Sequence, residues 1–214
     1  MSDLLILGAG GHAKVVAETA ISSGVASSVA FLDDRCIGPD ACPPLLGWPV
    51  IGPLALSSQA DTRSQFDAAV VAIGHCATRL HWIHQLQAAG FHLPVLFHPT
   101  AWVSPSATFG PGSVVFAQVA VQAQASIGLG AILNTGCSVD HDVQVSDAVH
   151  ICPGARLAGE VQVGPRSWIG IGASVIQQVR IGADVTIGAG AAVVSDLPCN
   201  VTAVGVPARV VTSN

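Results

Sequence analysis

The sequence predicts two domains of different class, a small α/β unit with a Rossmann-like parallel sheet followed by a parallel β-helix. Three observations carry this. From Val103 to Val193 an aliphatic or aromatic residue recurs at every sixth position, sixteen times without a slip. Six is neither the helical period nor the alternation of a strand, and a hexad repeat is the pattern of a coil whose sides are one repeat long. The first hundred residues instead alternate short apolar runs with helical patterns, and the first of these junctions is a glycine turn. The phase changes at His98-Pro99, which sets domains of 1–99 and 100–214.

Taken in order, Leu4-Leu5-Ile6-Leu7 is a strand, Gly8-Ala9-Gly10-Gly11 a turn, and Ala13 to Ile21 a helix. Val29 to Leu32 is a second strand ending in Asp33-Asp34, and residues 35–49, rich in Pro, Gly and Cys, read as loop. Ala68 to Ile73 is a strand closed by Gly74, Arg79 to Ala89 a helix stopped by Gly90, and Pro94 to Phe97 a last short strand. Strands alternating with helices imply a parallel sheet.

In the hexad region, a second inward-type residue follows each anchor by four places, as at Ala125, Cys137, Val143 and Ala173. Three hexads make one triangular coil, so residues eighteen apart stack, each coil rising ~4.8 Å, the spacing of paired strands. The series ends near Pro198, and residues 199–214 read as a tail. Many outward positions, such as Val114 and Ala117, are apolar, which points to prisms packed against one another as a closed homotrimer.

Composition narrows the function. Half of the residues are hydrophobic, a tenth are charged, the net charge is −5, and Lys14 is the single lysine, so nucleic acid is not the expected partner. No apolar run is long enough to span a bilayer, and no signal peptide is evident, so a cytoplasmic protein is expected. The six cysteines form no CxxC pair and read as reduced packing residues, and no close Cys/His pairs suggest a metal.

Gly8, Gly10 and Gly11, followed by His12, sit between a strand and a helix start, whose free N–H groups suit an anion. Asp33, with Asp34 beside it, ends the second strand where an acid in this fold class meets a ribose hydroxyl. The GxGG spacing favours a mononucleotide or nucleotide-sugar over a dinucleotide, with a plain βα turn as the alternative.

His141 and His150 are the only histidines among the hexads. His141, within Val139-Asp140-His141-Asp142, points outward near a corner. An imidazole there can act as general base, with Asp142 or Asp140 fixing its tautomer. Eighteen residues on lies Gly159, whose backbone N–H could meet a developing oxyanion. His150 belongs on another face or at a corner, either near a neighbouring subunit's His141 or packed at a subunit contact. Asn134 is either a polar handle for this site or a turn asparagine.

Gly8-Ala9-Gly10-Gly11-His12, Phe31-Leu32-Asp33-Asp34, Val71-Ala72-Ile73-Gly74, Asn134-Thr135-Gly136, Val139-Asp140-His141-Asp142 and Val204-Gly205-Val206-Pro207-Ala208-Arg209 together resemble the sialic acid O-acetyltransferase and nucleotide-aminosugar N-acetyltransferase family. That resemblance covers nearly the whole chain. It implies a left-handed β-helix, a homotrimer, and acetyl-CoA as cosubstrate between neighbouring prisms. It makes His141 the general base and Asp142 its orienting acid, where the family often has glutamate. It gives the thioester contact to the Gly159 amide, and places His150, Gly172, Ala173 and Gly190 beside acetyl-CoA. Gly8, Gly10, Gly11, His12, Asp33, Asp34 and Gly74 match the nucleotide-sugar pocket, although Gly74-His75-Cys76-Ala77 departs from the family's polar stretch.

The expected activity is acetyl transfer to the 4-amino group of a UDP- or dTDP-linked amino-deoxysugar in glycan biosynthesis, with no metal. O-acetylation of sialic acid or another free sugar is the rival within the class, and a non-catalytic trimeric scaffold the rival outside it.

Overall fold

Leu4 to Leu7 are almost wholly buried, as befits the middle of a parallel sheet covered on both faces. The computed structural model describes residues 2–36 and 42–213, and the chain divides into two compact units, Met1–Phe97 and His98–Asn214. In the first unit the chain runs through β1 (Ser2–Leu7), α1 (Gly11–Ser22), β2 (Ala26–Leu32), β3 (Val50–Gly52), a 3-10 turn at Leu54–Ser58, α2 (Ala60–Gln65), β4 (Ala68–Val71), α3 (Cys76–Ala88) and β5 (Leu96–Phe97). The four-stranded sheet has the order β3-β2-β1-β4 and is parallel throughout. Helix α1 buries Ala13, Val16, Ala17 and Ala20, the spacing of one helical stripe.

The structure extends the sequence reading in several places. β3, the 3-10 turn and α2 fill a stretch without strong periodicity. Helix α3 starts at Cys76, because the His75 imidazole accepts the Thr78 N–H at 3.3 Å and caps the helix. The expected 35–49 loop lies partly outside the described residues. Its described end carries a Leu45–Trp48 bridge. The reading of all six cysteines as reduced is overturned: Cys36 and Cys42 are joined by a disulfide, with Cα atoms 5.4 Å apart. Cys36 is drawn into a tight turn by its N–H bond to the Asp33 carbonyl (2.9 Å), a local geometry that sequence spacing does not reveal. Cys76, Cys137, Cys152 and Cys199 are thiols, and burial pushes the Cys137 thiol up to about 12.

In the second unit two-residue strands pair with the strand eighteen residues on, Ser126 with Gln144, Ile132 with His150, Ser138 with Arg156. They form the three sides of a prism, named here by one residue each. The Ser138 face runs from Trp102–Val103 to Ala192–Val193, the Gln144 face from Thr108–Phe109 to Arg180–Ile181, and the His150 face from Val114–Val115 to Thr186–Ile187. The hexad residues and their small companions form one continuous core. Where the companion is a serine, the hydroxyl is satisfied: Ser167 donates to the Gly182 carbonyl (2.8 Å) and accepts the Val185 N–H (3.1 Å). Residues expected only as a tail form a hairpin instead. Val201–Val204 adds to the His150 face beside Thr186–Ile187 and pairs antiparallel with Arg209–Ser213.

Each corner needs a residue in the left-handed region, and the three corners meet this differently. One has Gln118, Gly136, Gly154, Gly172 and Gly190. A second has Gln124, Asp142, Glu160 and Gln178. The third has Gly112, Gly130, Ala148, Arg166 and Asp184. A side chain in that region costs about 1 kcal/mol or more, so the second corner, with no glycine, accepts strain at these four successive turns to display polar groups.

Candidate active site

His141 sits on that second corner, between the Ser138 and Gln144 faces. Its N–H donates to Asp140 Oδ1 at 2.8 Å, which fixes the turn. Its Nδ1 lies 2.8 Å from Asp142 Oδ2, with both side chains about half exposed. The Asp142 hydrogen bond, then the charges of Asp140, Asp142 and Glu160, raise the imidazole above its ordinary pKa against a smaller opposing effect of desolvation. With Nδ1–H donated to a carboxylate, Nε2 carries the lone pair.

The eighteen-residue period places Gly159 against that nitrogen. A Cβ added to Gly159 would lie 2.6 Å from both His141 Nε2 and Cε1. The expected stacking of His141, Asp142 and Gly159 is thus present. Such a group can remove a proton beside a backbone amide, the arrangement acyl transfer requires.

Exchanging Asp142→Asn removes the charged hydrogen bond that is the largest cause of the raised pKa and leaves an amide that can donate as well as accept, so the tautomer is no longer fixed. The expected result is a ~10²-fold loss of turnover, with the acidic limb of the pH–rate profile moved to lower pH. A pH series of kcat/KM reads both effects.

Gly172 and Gly190 lie on the first corner, which bounds the opposite edge of the Ser138 face. A Cβ at either would meet nothing within 4 Å, so an elongated ligand can approach this backbone edge closely. Ala173 points into the core and offers only its main chain. His150 is on the third side of the prism, 5% exposed, packed against Trp168 with ring centroids 4.2 Å apart and planes tilted by 57°, and its Nε2 is 3.1 Å from Asn134 Nδ2. Asn134, left open by the sequence, therefore partners His150.

In the first unit, the chain leaves β1 toward β2 on one side while β4 lies on the other. The ends of β1 and β4 are thus the switch point where ligands bind in open α/β sheets. Gly8 (φ 102°) turns the chain there, and a Cβ would come within 2.9 Å of the Ala72 carbonyl oxygen. Gly10 caps α1 without a side-chain bond. In front of Gly10, Gly11 and Gly74 there is open space. Asp33 takes the Ala9 N–H (2.7 Å) and a two-pronged contact from Arg35 (2.8 and 2.9 Å), which hold its carboxyl down to about 2. Asp34 accepts the Leu54 N–H at 2.8 Å. Both acids brace the turns at this end of the sheet.

Sequence reading missed Arg79. It is 1% exposed and donates to the Ile73 and Gly74 carbonyls at 3.0 and 2.7 Å, tying down the turn after β4. Its place in the stripe Arg79, Ile83, Leu86, where an apolar residue belongs, was the available signal. Burial, and secondarily the Arg79 charge, push the His12 pKa from 6.5 down to about 4. Between those values the unfolded chain binds a proton that the folded chain does not. Stability therefore falls as pH drops from 6.5 towards 4, by on the order of 2–3 kcal/mol. Urea titrations of His12→Asn across this range should show a shallower loss than the native chain.

Comparison with known proteins follows the same two-part division. Residues 3–86 match the PglD N-terminal domain family, and residues 160–194 match the bacterial transferase hexapeptide (six repeats) family. The acetyltransferase domain of PglB from Neisseria gonorrhoeae is 44% identical, with a TM-score of 0.92 over 99% of this chain and 100% of that one. Its complex with acetyl coenzyme A superposes with a TM-score of 0.90 at 45% identity, over 98% of each chain. PerB from Caulobacter crescentus, in complex with CoA and GDP-perosamine, is 41% identical with a TM-score of 0.91 over 99% and 98%. The chain belongs to the PglD-like hexapeptide-repeat acetyltransferases.

The prism is accordingly a left-handed β-helix, and the protein is an acetyl-CoA-dependent sugar acetyltransferase. Among the described residues no group of three or more His, Cys, Asp or Glu could hold a metal, and no helix is long and apolar enough to cross a membrane.

Proposed function

We propose that this acetyltransferase moves the acetyl group of acetyl-CoA onto the 4-amino group of a nucleotide-linked amino-deoxysugar. The observation that carries the reading is the His141 imidazole, held by Asp142 at 2.8 Å and seated against Gly159. As the amine attacks the thioester carbonyl, a C–N bond forms and the C–S bond breaks. His141 Nε2 takes the amine proton and returns it to the sulfur of CoA, while the Gly159 N–H faces the carbonyl oxygen. Asp142 keeps the imidazole in the tautomer that leaves Nε2 free.

The side-chain-free edge at Gly172 and Gly190, with the Ala173 main chain, suits the long arm of CoA, and His150 is assigned to the same cosubstrate. The start of α1, which has no side-chain cap bond, suits, with Gly8, Gly10 and Gly11, the diphosphate of the nucleotide. His12 and Gly74 are assigned to the same end of the sheet, where Asp33 and Asp34 hold the turns. PerB carries a GDP-linked sugar, so GDP joins the UDP and dTDP that the sequence suggests. A cytoplasmic location fits both reactants.

The test is thermal shift followed by turnover with acetyl-CoA and GDP-, UDP- and dTDP-linked 4-amino-sugars. A nucleotide that binds only the folded state raises Tm, and CoA release with that sugar completes the assignment. Release of CoA only with free sialic acid would overturn it.

The working unit is a homotrimer. Exposed Trp102, Ile171, Ile176 and Val194 (54%, 61%, 42% and 44%) all lie on the Ser138 face or its two edges, an apolar surface that a neighbouring prism would cover. Sedimentation equilibrium should give three times the chain mass, and a monomer at micromolar concentration would reject the assembly.

A further inference from the structure

One coil beyond His141 and Asp142 lie Gly159 and Glu160. The Glu160 N–H donates to the His141 carbonyl oxygen at 3.0 Å. Glu160 occupies the same left-handed corner position as Asp142, with φ of 62° against 59°. Its carboxylate is steadied by Gln178, one coil further on, whose Nε2 is 3.3 Å from Glu160 Oε2. Asp142 and Glu160 are thus successive rungs of one edge, and both open onto a groove of about 560 Å³ shared with Gln144, Gln162, Gln178 and Arg180.

The charges that act on the His141 imidazole are all negative, Arg156 standing on the adjoining face in register with Ser138. Asp140 and Asp142 flank it in its own turn, and Glu160 faces it from the next coil. The preceding coil offers Ala123 and Gln124, which carry no charge. Among the described residues Arg180 is the cation that lines the groove, one coil beyond Glu160 and in register with Gln162 on the Gln144 face. An aliphatic amine carries a proton at neutral pH, whereas a sugar hydroxyl is neutral. A field of this sign attracts the first and is indifferent to the second.

We propose that Glu160 is a specificity-determining residue. With Asp142 it forms a two-carboxylate edge that draws a protonated amine to His141, and so favours an amine acceptor over a hydroxyl. The proposal rests on the acetyl-transfer reading above and adds a reason for the nitrogen acceptor. The ammonium group gives one proton to solvent at the site. The free amine then forms the C–N bond as the C–S bond breaks, and its second proton passes through His141 Nε2 to the departing sulfur.

Glu160→Gln tests this in the full chain, because it removes the charge while keeping the shape of an exposed side chain. The first readout needs no sugar: the His141 imidazole signals are followed by NMR. The titration midpoint should fall to lower pH in E160Q. Methylammonium chloride should perturb the His141 signals of the native chain at concentrations about two- to fivefold below those E160Q needs, the ratio expected for an exposed charge pair. Methanol should act equally on both, and sodium chloride sets the ionic-strength baseline. An unchanged midpoint, or equal responses to methylammonium, overturns the proposal. The second readout is KM for GDP-perosamine, expected to rise by the same factor in E160Q with a smaller change in kcat. A change in kcat alone would also overturn it. Failure of every nucleotide amino sugar to react would count against the proposed function, while the NMR comparison would still judge Glu160.

Discussion

His141→Ala should lower turnover with acetyl-CoA and the acceptor by about 10²–10⁴-fold, the usual worth of a general base. The fold should be untouched. The imidazole is 55% exposed, and its hydrogen bond is to the 50% exposed Asp142, so its removal leaves neither a cavity nor a buried unpaired group. Steady-state rates and a thermal melt on the same sample read the two halves together. A variant that keeps full activity would remove His141 from the chemistry. One that loses its cooperative melt would show that the residue serves the fold.

Gly159→Ala should be nearly as damaging for a different reason. The backbone there is not in the left-handed region, so alanine brings no conformational strain. Its methyl, however, would occupy a point 2.6 Å from Nε2 and Cε1 of His141. An exposed ring can swing away at little cost in stability, but in doing so it abandons the geometry set by Asp142. A displacement of about 1 Å in a catalytic group can cost ~10²-fold in rate. We therefore expect a large fall in kcat, a small change in Tm, and weakening of the Asp142–imidazole coupling visible in the His141 titration. Full activity in G159A would mean that the imidazole works from another position.

The β-helix was legible because its information is periodic. A residue at every sixth place states which side chains enter the core, and the eighteen-residue sum states which corners stack. That arithmetic alone placed Gly159 against His141. The α/β unit was legible where a strand meets a glycine turn, and poorly legible where elements are short. β3 and α2 have three and six residues, too few for any period to show. The Cys36–Cys42 link was missed because it depends on how a turn folds back, not on spacing. Arg79 and Glu160 were missed for opposite reasons. Arg79 is a charged residue hidden in an apolar stripe, whereas Glu160 looks like one more solvated acid until the next coil is laid over His141.

The eighteen-residue stacking also governs how such a chain can change length. Each coil touches chiefly the coil before and the coil after, as in other repeat arrays. Losing or duplicating one whole coil beyond the Glu160 and Gln178 rungs would return every later residue to its own side of the prism. The His141 corner would keep its neighbours. Insertion of a single hexad would instead rotate all that follows by one face, carrying the Gly190 edge onto the corner that now bears the carboxylates. Descendants of this sequence should therefore differ in length by eighteens within the prism, with other increments confined to its ends and to the surface turns.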